Sequence, residues 1–418
     1  RDQWDLLALA GWREHDVKTN RDVLALASRQ QGLNFPPGEE FLYCNTGYTF
    51  LGLVVERLTG QSLRAFAEER LFRPLGMSRT HFHDDHTMIV KDRADAYVPR
   101  EEGGYRISIP AFDTVGATSL FTTVGDLARW VHEFWENRAI SASLVERLLL
   151  PGKLNDGKVL NYAFGVINGR YRGARIVEHS GGDAGYRSHL LWFPEQHFAV
   201  AVLGNLSTLN PGQLARQVAD VYLRDRLAPV ATPPVTASVS STDLERWAGL
   251  YEDPRTGEVH RLSVVNGRLT NVLGWQFTLD PLGSGRFRIS QTALDAELVT
   301  DAAGMAELRV SAEGRRVGTY RRVPAAVPSR ADLTAYVGRY HSDEVAADYE
   351  INLRGDGLVW RRLRSDDLPL LPTVIDGFGT ELGIRFHFQR NALGAVEQVT
   401  VSTSRVRGVT FRKLPVVG

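Results

Sequence analysis

The sequence predicts an α+β multidomain protein, in which one unit of mixed helices and strands is followed by two small antiparallel β-barrels. Three observations carry this. Residues 1–228 alternate helix-like and strand-like patterns. A stretch rich in Pro, Ser, Thr and Ala, "APVATPPVTASVSS", then breaks all periodicity. Beyond it the chain repeats itself, with an offset of 89 residues from Asp243 to Asp332. At 418 residues the chain exceeds one typical core, as such a partition requires. The units read as 1–228, a linker at 229–241, and barrels at 242–326 and 327–418.

In the first unit, "NTGYTFLGLVVERLTGQ" reads as a helix starting at Asn45 or Thr46 and ending at Gly60. "SLRAFAEERLFRPLG" is again helical, with Leu63, Phe66 and Leu71 on one face until Pro74 and Gly76 stop it. In "FTTVGDLARWVHEFW", Thr123 and Asp126 have the spacing of a capping box. Leu127, Trp130, Val131 and Phe134 form its apolar stripe. "ARIVEHSGG", "YRSHLLWFP" and "HFAVAVLGN" read as successive strands, the last two joined as a hairpin through residues 194–196. Alternation along the first strand sends Ile176 and Glu178 to one face and Val177 and His179 to the other. "NPGQLARQVADVYLRDRL" closes the unit as a helix with Asn210 as cap and Pro211 in its first turn.

The repeat aligns "DLERWAGLY" with "DLTAYVGRY", keeping Asp-Leu, an aromatic, Gly and Tyr in register. Each copy continues as short alternating strands with Gly-rich turns and ends on a similar strand, "RRVGTYRRVP" or "RVRGVTFRKLP". Units of this size built only from short strands fit closed barrels, which leave no sheet edge exposed. In that arrangement Trp247 and Tyr336 occupy equivalent positions. A single sandwich made from both copies is the competing arrangement.

Composition excludes several function classes. Lys plus Arg and Asp plus Glu are balanced at 49 each, so no charge excess points to nucleic acid or an anionic membrane. No apolar run approaches the roughly twenty residues of a membrane-spanning helix. The single cysteine, Cys44, rules out an internal disulfide and reads as packing. The compartment stays open between a periplasmic or secreted location and the cytoplasm, and oligomeric state is not legible.

Chemistry enters through two short stretches. "FPPGEEFLYCNTGYTFLG" sets Tyr43 and Asn45 two residues apart at a helix start, and "VEHSGGDAGYRSHLLWFP" sets His179, Ser180, Gly181 and Gly182 on a strand. Singly, these read as a loop tyrosine, a strand histidine and a bulge. Together with "RLFRPLGM" and "TSLFTTVGDLARW", in this order, they resemble the serine β-lactamase-like and penicillin-binding family over residues 1 to about 228. The architecture with two appended barrels resembles the D-stereospecific aminopeptidases of that family. The resemblance implies an α/β sandwich, an antiparallel sheet flanked by helices, here lacking its first part. It implies a Ser-x-x-Lys nucleophile, a Tyr-x-Asn proton relay matched by Tyr43 and Asn45, and a Lys/His-x-Gly strand matched by His179 and Gly181. His rather than Lys at 179 looks more like the aminopeptidase and esterase branches.

The first of those elements is missing. None of the five lysines (Lys18, Lys91, Lys153, Lys158 and Lys413) has a serine three positions before it. Either the chain begins after the nucleophile or it comes from a relative that lost it, and the opening "RDQWDLL", without a methionine, favours the first. The expected activity is hydrolysis of peptides or esters through an acyl-serine. A penicillin-binding carboxypeptidase, a β-lactamase, or a non-catalytic binder of peptides or cell-wall fragments are the alternatives. The substrate would be a small molecule or short peptide, and no cofactor is implied.

The remaining parts have coherent chemistry. A phenol of pKa about 10 needs nearby positive charge to serve as a base at neutral pH, so Tyr43 is expected beside the absent lysine and His179. Asn45 would orient the lysine and a substrate carbonyl. The His179 strand would pair with an extended substrate, with the Gly182 N–H in the oxyanion hole and Ser180 and Gly181 along the binding edge. Without an activating base, Ser180 is expected to form no adduct with an acylating β-lactam. "HFHDDH" at 81–86 contains metal-ligand residue types, but its spacing suits neither a helix face nor a strand face, and it reads as a loop without metal. Asp183 and Arg187 read equally as entrance or surface residues.

Overall fold

The computed structural model describes residues 1–229, 239–290, 292, 294–312, 314–362 and 366–415. Most of the stretch read as linker therefore lies outside the described residues. Nine α-helices are found among the described residues: α1 (Gln3–Leu9), α2 (Asn20–Ala27), α3 (Asn45–Thr59), α4 (Leu63–Ala67), α5 (Val124–Glu136), α6 (Ala142–Leu148), α7 (Pro211–Tyr222), α8 (Ser241–Trp247) and α9 (Arg330–Thr334).

The first unit is built on a four-stranded antiparallel sheet of β1 (Ile167–Tyr171), β2 (Ala174–Asp183), β3 (Tyr186–Phe193) and β4 (Phe198–Gly204), in spatial order β4-β3-β2-β1. Period-two alternation divides its side chains between two cores. Ile176, Leu191 and Phe193 pack with Ala215 and Ala219 of α7. Val177 and Trp192 pack on the other face with Val131 and Phe134 of α5 and Val145 of α6. Each such fully buried side chain contributes about 1.5–3 kcal/mol. The β2–β3 hairpin turns at Ala184 and Gly185, where a Cβ on Gly185 would collide with the backbone of Ala96 and Tyr97.

Local signals are mostly realised. Gly60 ends α3 at φ 71°, and the Asn210 side chain accepts from the Gln213 N–H at the start of α7. Two details differ from the sequence reading. The helix after Ser62 widens after Ala67 into a π turn over Glu68–Phe72 before Pro74. Only half of the capping box at Thr123 forms. Its hydroxyl accepts from the Asp126 N–H, but the Asp126 carboxylate turns to the Arg79 N–H and the Thr80 hydroxyl, each at 2.8 Å. A buried carboxylate takes the donors that are also buried, and here these come from the preceding loop.

Each repeat copy closes into its own eight-stranded antiparallel barrel, so the single-sandwich arrangement is excluded. The first runs from Gly249–Glu252 to Arg315–Val323 and seals by pairing Leu250 with Val323. The second runs from Gly338–Ser342 to Val409–Lys413 and seals by pairing Tyr340 with Lys413. The repeated motif does the same work in both. Tyr251 and Tyr340 are fully buried, and their hydroxyls donate to the carbonyls of Trp247 (2.9 Å) and Tyr336 (2.6 Å). The preceding glycines, Gly249 and Gly338, stand at φ 152° and 151°, where a Cβ would strike Arg322 or Lys413.

Candidate active site

The site is assembled where α3 begins. Asp2, the N-cap of α1, is fully buried and serves two helix starts at once. Its Oδ1 accepts from the Trp4 N–H at 3.0 Å, and its Oδ2 accepts from the Asn45 N–H at 2.6 Å and from Asn45 Nδ2 at 2.8 Å. Carboxylates are favoured there because the first turn leaves N–H groups unpaired. Thr46 and Thr49 add hydroxyl bonds to the Arg1 carbonyl and the Gln3 side chain. Asn45 is thereby locked in place, and Tyr43, two residues earlier, overhangs the sheet. Cys44, between them, turns its Sγ to the Arg1 carbonyl at 3.6 Å.

Across from Tyr43 lies β2. Its pairing with β1 ends at Ile167–Glu178, so from His179 to Asp183 the strand pairs with β3 alone and leaves one edge free. Tyr43, Asn45, His179, Ser180, Gly181 and Gly182 all line one cleft of about 2050 Å³. The Tyr43 and His179 rings stand 6.1 Å apart, centroid to centroid. Tyr162 completes the group, edge-on to Tyr43 at 5.9 Å with its hydroxyl 3.2 Å from His179 Nε2. Asp183 and Arg187 also line the cleft, and Arg187 donates to the carbonyls of Ala184 and Tyr186.

The electrostatics differ from expectation. Burial pushes the Tyr43 phenol above its ordinary value, with Asp2, Tyr48 and Asp183 adding to the rise and Arg405 opposing it. Burial also lowers His179, so the imidazole is neutral near neutral pH and cannot be the cation that stabilises a tyrosinate. That charge comes instead from Arg405 of the second barrel, whose guanidinium carbon lies 5.0 Å from the Tyr43 ring centroid. Burial raises the Asp183 carboxyl, against the opposing Thr118 hydroxyl and Arg187.

Ser180 is exposed on the opposite face of β2 from His179. Its Oγ is 2.9 Å from Nδ1 of His189, its direct cross-strand partner, so an imidazole adjoins this hydroxyl where the sequence reading placed none. In "HFHDDH", His81 and His83 face the same cleft, and the buried His83 stacks on Phe121 at 4.2 Å. Asp85, His86 and Asp113 bring three ligand atoms within 4.8 Å. They already satisfy one another and their neighbours, since Asp113 accepts from His86 and Asp85 accepts from Thr87.

Sequence reasoning missed Tyr162, Arg405, Asp2 and His189. For His189 a signal existed, because a two-residue turn at Ala184 and Gly185 places it opposite Ser180. Arg405 had none, since it arrives from a separate barrel.

A D-aminopeptidase of Cereibacter sphaeroides is 25% identical over 357 residues, covering 85% of this chain and 65% of its own length. A D-aminopeptidase of Brucella anthropi is 25% identical over 439 residues, covering 99% and 78%. A penicillin-binding protein of Bacillus subtilis is 26% identical over 310 residues, covering 69% and 68%. The chain thus spans about 65% of the length of the Cereibacter enzyme. Residues 6–224, just over half of the chain and the whole of the sheet with its flanking helices α5, α6 and α7, match the Beta-lactamase family, and the chain belongs to that family.

Proposed function

We propose that residues 1–228 are the proton-handling and substrate-holding part of a serine hydrolase acting on short peptides or esters through an acyl-serine, D-aminopeptidase- or esterase-like. The observation that carries the reading is the Tyr43–His179 pair, 6.1 Å apart across a cleft bounded by a free strand edge. Residues 229–241 act as linker, and 242–326 and 327–418 as barrel units, of which the second buttresses the cleft through Arg405. A free edge offers alternate N–H and C=O groups to an extended substrate. Tyr43, protonated at neutral pH, donates to the leaving group, and Arg405 stabilises the tyrosinate that results. Asn45 holds the start of α3 rigid through Asp2, so the phenol is positioned rather than searching. Gly181 and Gly182 line the edge, and the Gly182 N–H serves the oxyanion.

The 418 residues contain no Ser-x-x-Lys. In this reading the nucleophile and its lysine lie on a segment outside them, and the chain alone is inactive by the Tyr43 route. The penicillin-binding relative motivates a second reading, a carboxypeptidase or β-lactamase. Turnover of D-amino-acid amides against β-lactams by the full-length protein separates the two. A binder without turnover would require the parent sequence to lack Ser-x-x-Lys. Tyr43→Phe in the full-length protein keeps the ring packing, so folding should hardly change while turnover falls by roughly 10² to 10⁴. Near-native activity in that variant would remove Tyr43 from the mechanism.

A further inference from the structure

The face of β2 opposite His179 carries a second hydrogen-bonded relay, whose Ser180 and His189 also line the cleft that holds Tyr43. Ser180 Oγ lies 2.9 Å from His189 Nδ1, and His189 Nε2 lies 3.0 Å from Glu178 Oε2. Arg216 of α7 donates to both carboxylate oxygens of Glu178, at 2.8 and 2.7 Å. Ser180 is exposed, His189 is only 4% exposed, and the Glu178 side chain, 14% exposed, lies between His189 and Arg216 of α7. β-Pairing explains the assembly. Ser180 and His189 are direct cross-strand neighbours, and Glu178, two residues before Ser180, projects from the same face.

Chemically this is a nucleophile, a base and an orienting acid. Burial would raise the Glu178 carboxyl, but His189 and Arg216 outweigh it and hold the group below its ordinary value, as a carboxylate. An ionised Glu178 accepts the Nε2–H, which fixes the imidazole tautomer and leaves Nδ1 free to take the Ser180 proton. The start of α7 adjoins the imidazole, and a Cβ on Gly212 would stand 3.4 Å from Nδ1.

We propose that Ser180, His189 and Glu178 form a second acyl-transfer centre that hydrolyses small activated carboxylic esters independently of the Tyr43 route. Ser180 Oγ attacks the ester carbonyl carbon as its proton passes to His189 Nδ1. The carbon–oxygen bond to the alcohol breaks, and His189 returns the proton to the departing oxygen. Water then attacks the acyl-serine, giving its proton through His189 back to Ser180 Oγ, and the carboxylic acid leaves. Ester and water are consumed, and acid and alcohol are formed. No redox partner or metal is involved.

The test uses the 418-residue chain, an alkyl fluorophosphonate and p-nitrophenyl acetate. One phosphonyl group should be found on Ser180 by intact mass and peptide mapping. Ser180→Ala, at an exposed position, should fold normally by circular dichroism, lose the label and lose at least about tenfold of the nitrophenol release. His189→Gln should slow labelling by roughly 10²-fold, the lower end expected for a positioned base. No label on Ser180, label only on other residues, or nitrophenol release unchanged in Ser180→Ala would overturn the proposal. If His189→Gln fails to fold, the wild-type and Ser180→Ala arms decide alone. None of these outcomes bears on Tyr43, whose test needs the full-length protein.

Discussion

The two barrels start from the same sequence motif and end in different positions. The core of the first is made of its own strands and α8. The core of the second is continuous with Leu6, Leu7 and Leu9 of α1 and Val23 and Leu26 of α2. Tyr349, buried inside it, donates its hydroxyl to the Leu9 carbonyl at 2.7 Å. Only the second reaches the cleft, through Arg405; among the described residues lining the cleft, the first contributes none. Duplicated units therefore need not share a role. The motif secures the barrel, and whatever packs outside it decides whether the barrel supports chemistry.

The sharpest way to break this comparison is to damage each core in turn. Trp360 in the second barrel and Phe287 in the first are both essentially buried, and truncating either to Ala should cost about 3–5 kcal/mol locally. Trp360→Ala should also accelerate amide hydrogen exchange in α1 and α2, because their apolar faces lose the same core. Phe287→Ala should leave those amides protected. Equal exchange in α1 and α2 for both variants would mean that the second barrel is no more integrated than the first.

Next in size is Arg405→Ala. Its charge favours the Tyr43 phenolate, so removal should raise the Tyr43 pKa further. Ultraviolet titration of the variant against Arg405→Ala/Tyr43→Phe isolates this phenol. A fall in the pKa would show that Arg405 does not act on it.

How much of this was legible follows from how far each signal travels along the chain. The repeat was readable because its constraints are local: a Gly at φ near 150° and a Tyr that bonds back four residues recur wherever the barrel starts. Tyr43, Asn45 and His179 were weak singly and readable only as an ordered set. The helical role of "QWDLLALA" was not read, because its leucines are buried largely by residues near Tyr349 and Val406, more than 330 positions away. Glu178 was placed correctly on the Ile176 face by alternation, but nothing in the sequence announces Arg216 as its partner.

A smaller effect tests the sameness of the barrels. Tyr251→Phe and Tyr340→Phe each delete one buried hydrogen bond and should each cost about 1 kcal/mol at neutral pH. Burial pushes the Tyr251 phenol up to about 12. A raised folded-state pKa gives stability that is complete below the unfolded value of about 10 and is lost as pH rises through the folded one. Both variants should therefore narrow their deficit to wild type above about pH 10, which urea denaturation at neutral and alkaline pH would reveal. Unequal costs at neutral pH would mean that the two tyrosines are not equivalent.

The finest comparison is at Glu40, which receives one arginine from each barrel. Arg407 of the second barrel contacts both carboxylate oxygens at 3.1–3.3 Å and lies over the Phe35 ring. Arg255 of the first barrel also pairs with Glu40 but is 58% exposed at its side chain, against 22% for Arg407. Exposed pairs contribute about 0.2–1 kcal/mol and are screened by salt. Arg407→Ala should thus cost near the top of that range and Arg255→Ala near the bottom, each measured in a double-mutant cycle with Glu40→Gln. Burial would raise the Glu40 carboxyl, but the two arginines outweigh it and lower it. A depressed carboxyl stabilises above its unfolded value and loses that contribution as pH falls through its folded one, so both couplings should fade toward acid. If Arg255 couples to Glu40 as strongly as Arg407 does, the first barrel is held to the cleft-bearing unit as firmly as the second, and the difference between the barrels reduces to the apolar core that α1 and α2 share with one of them.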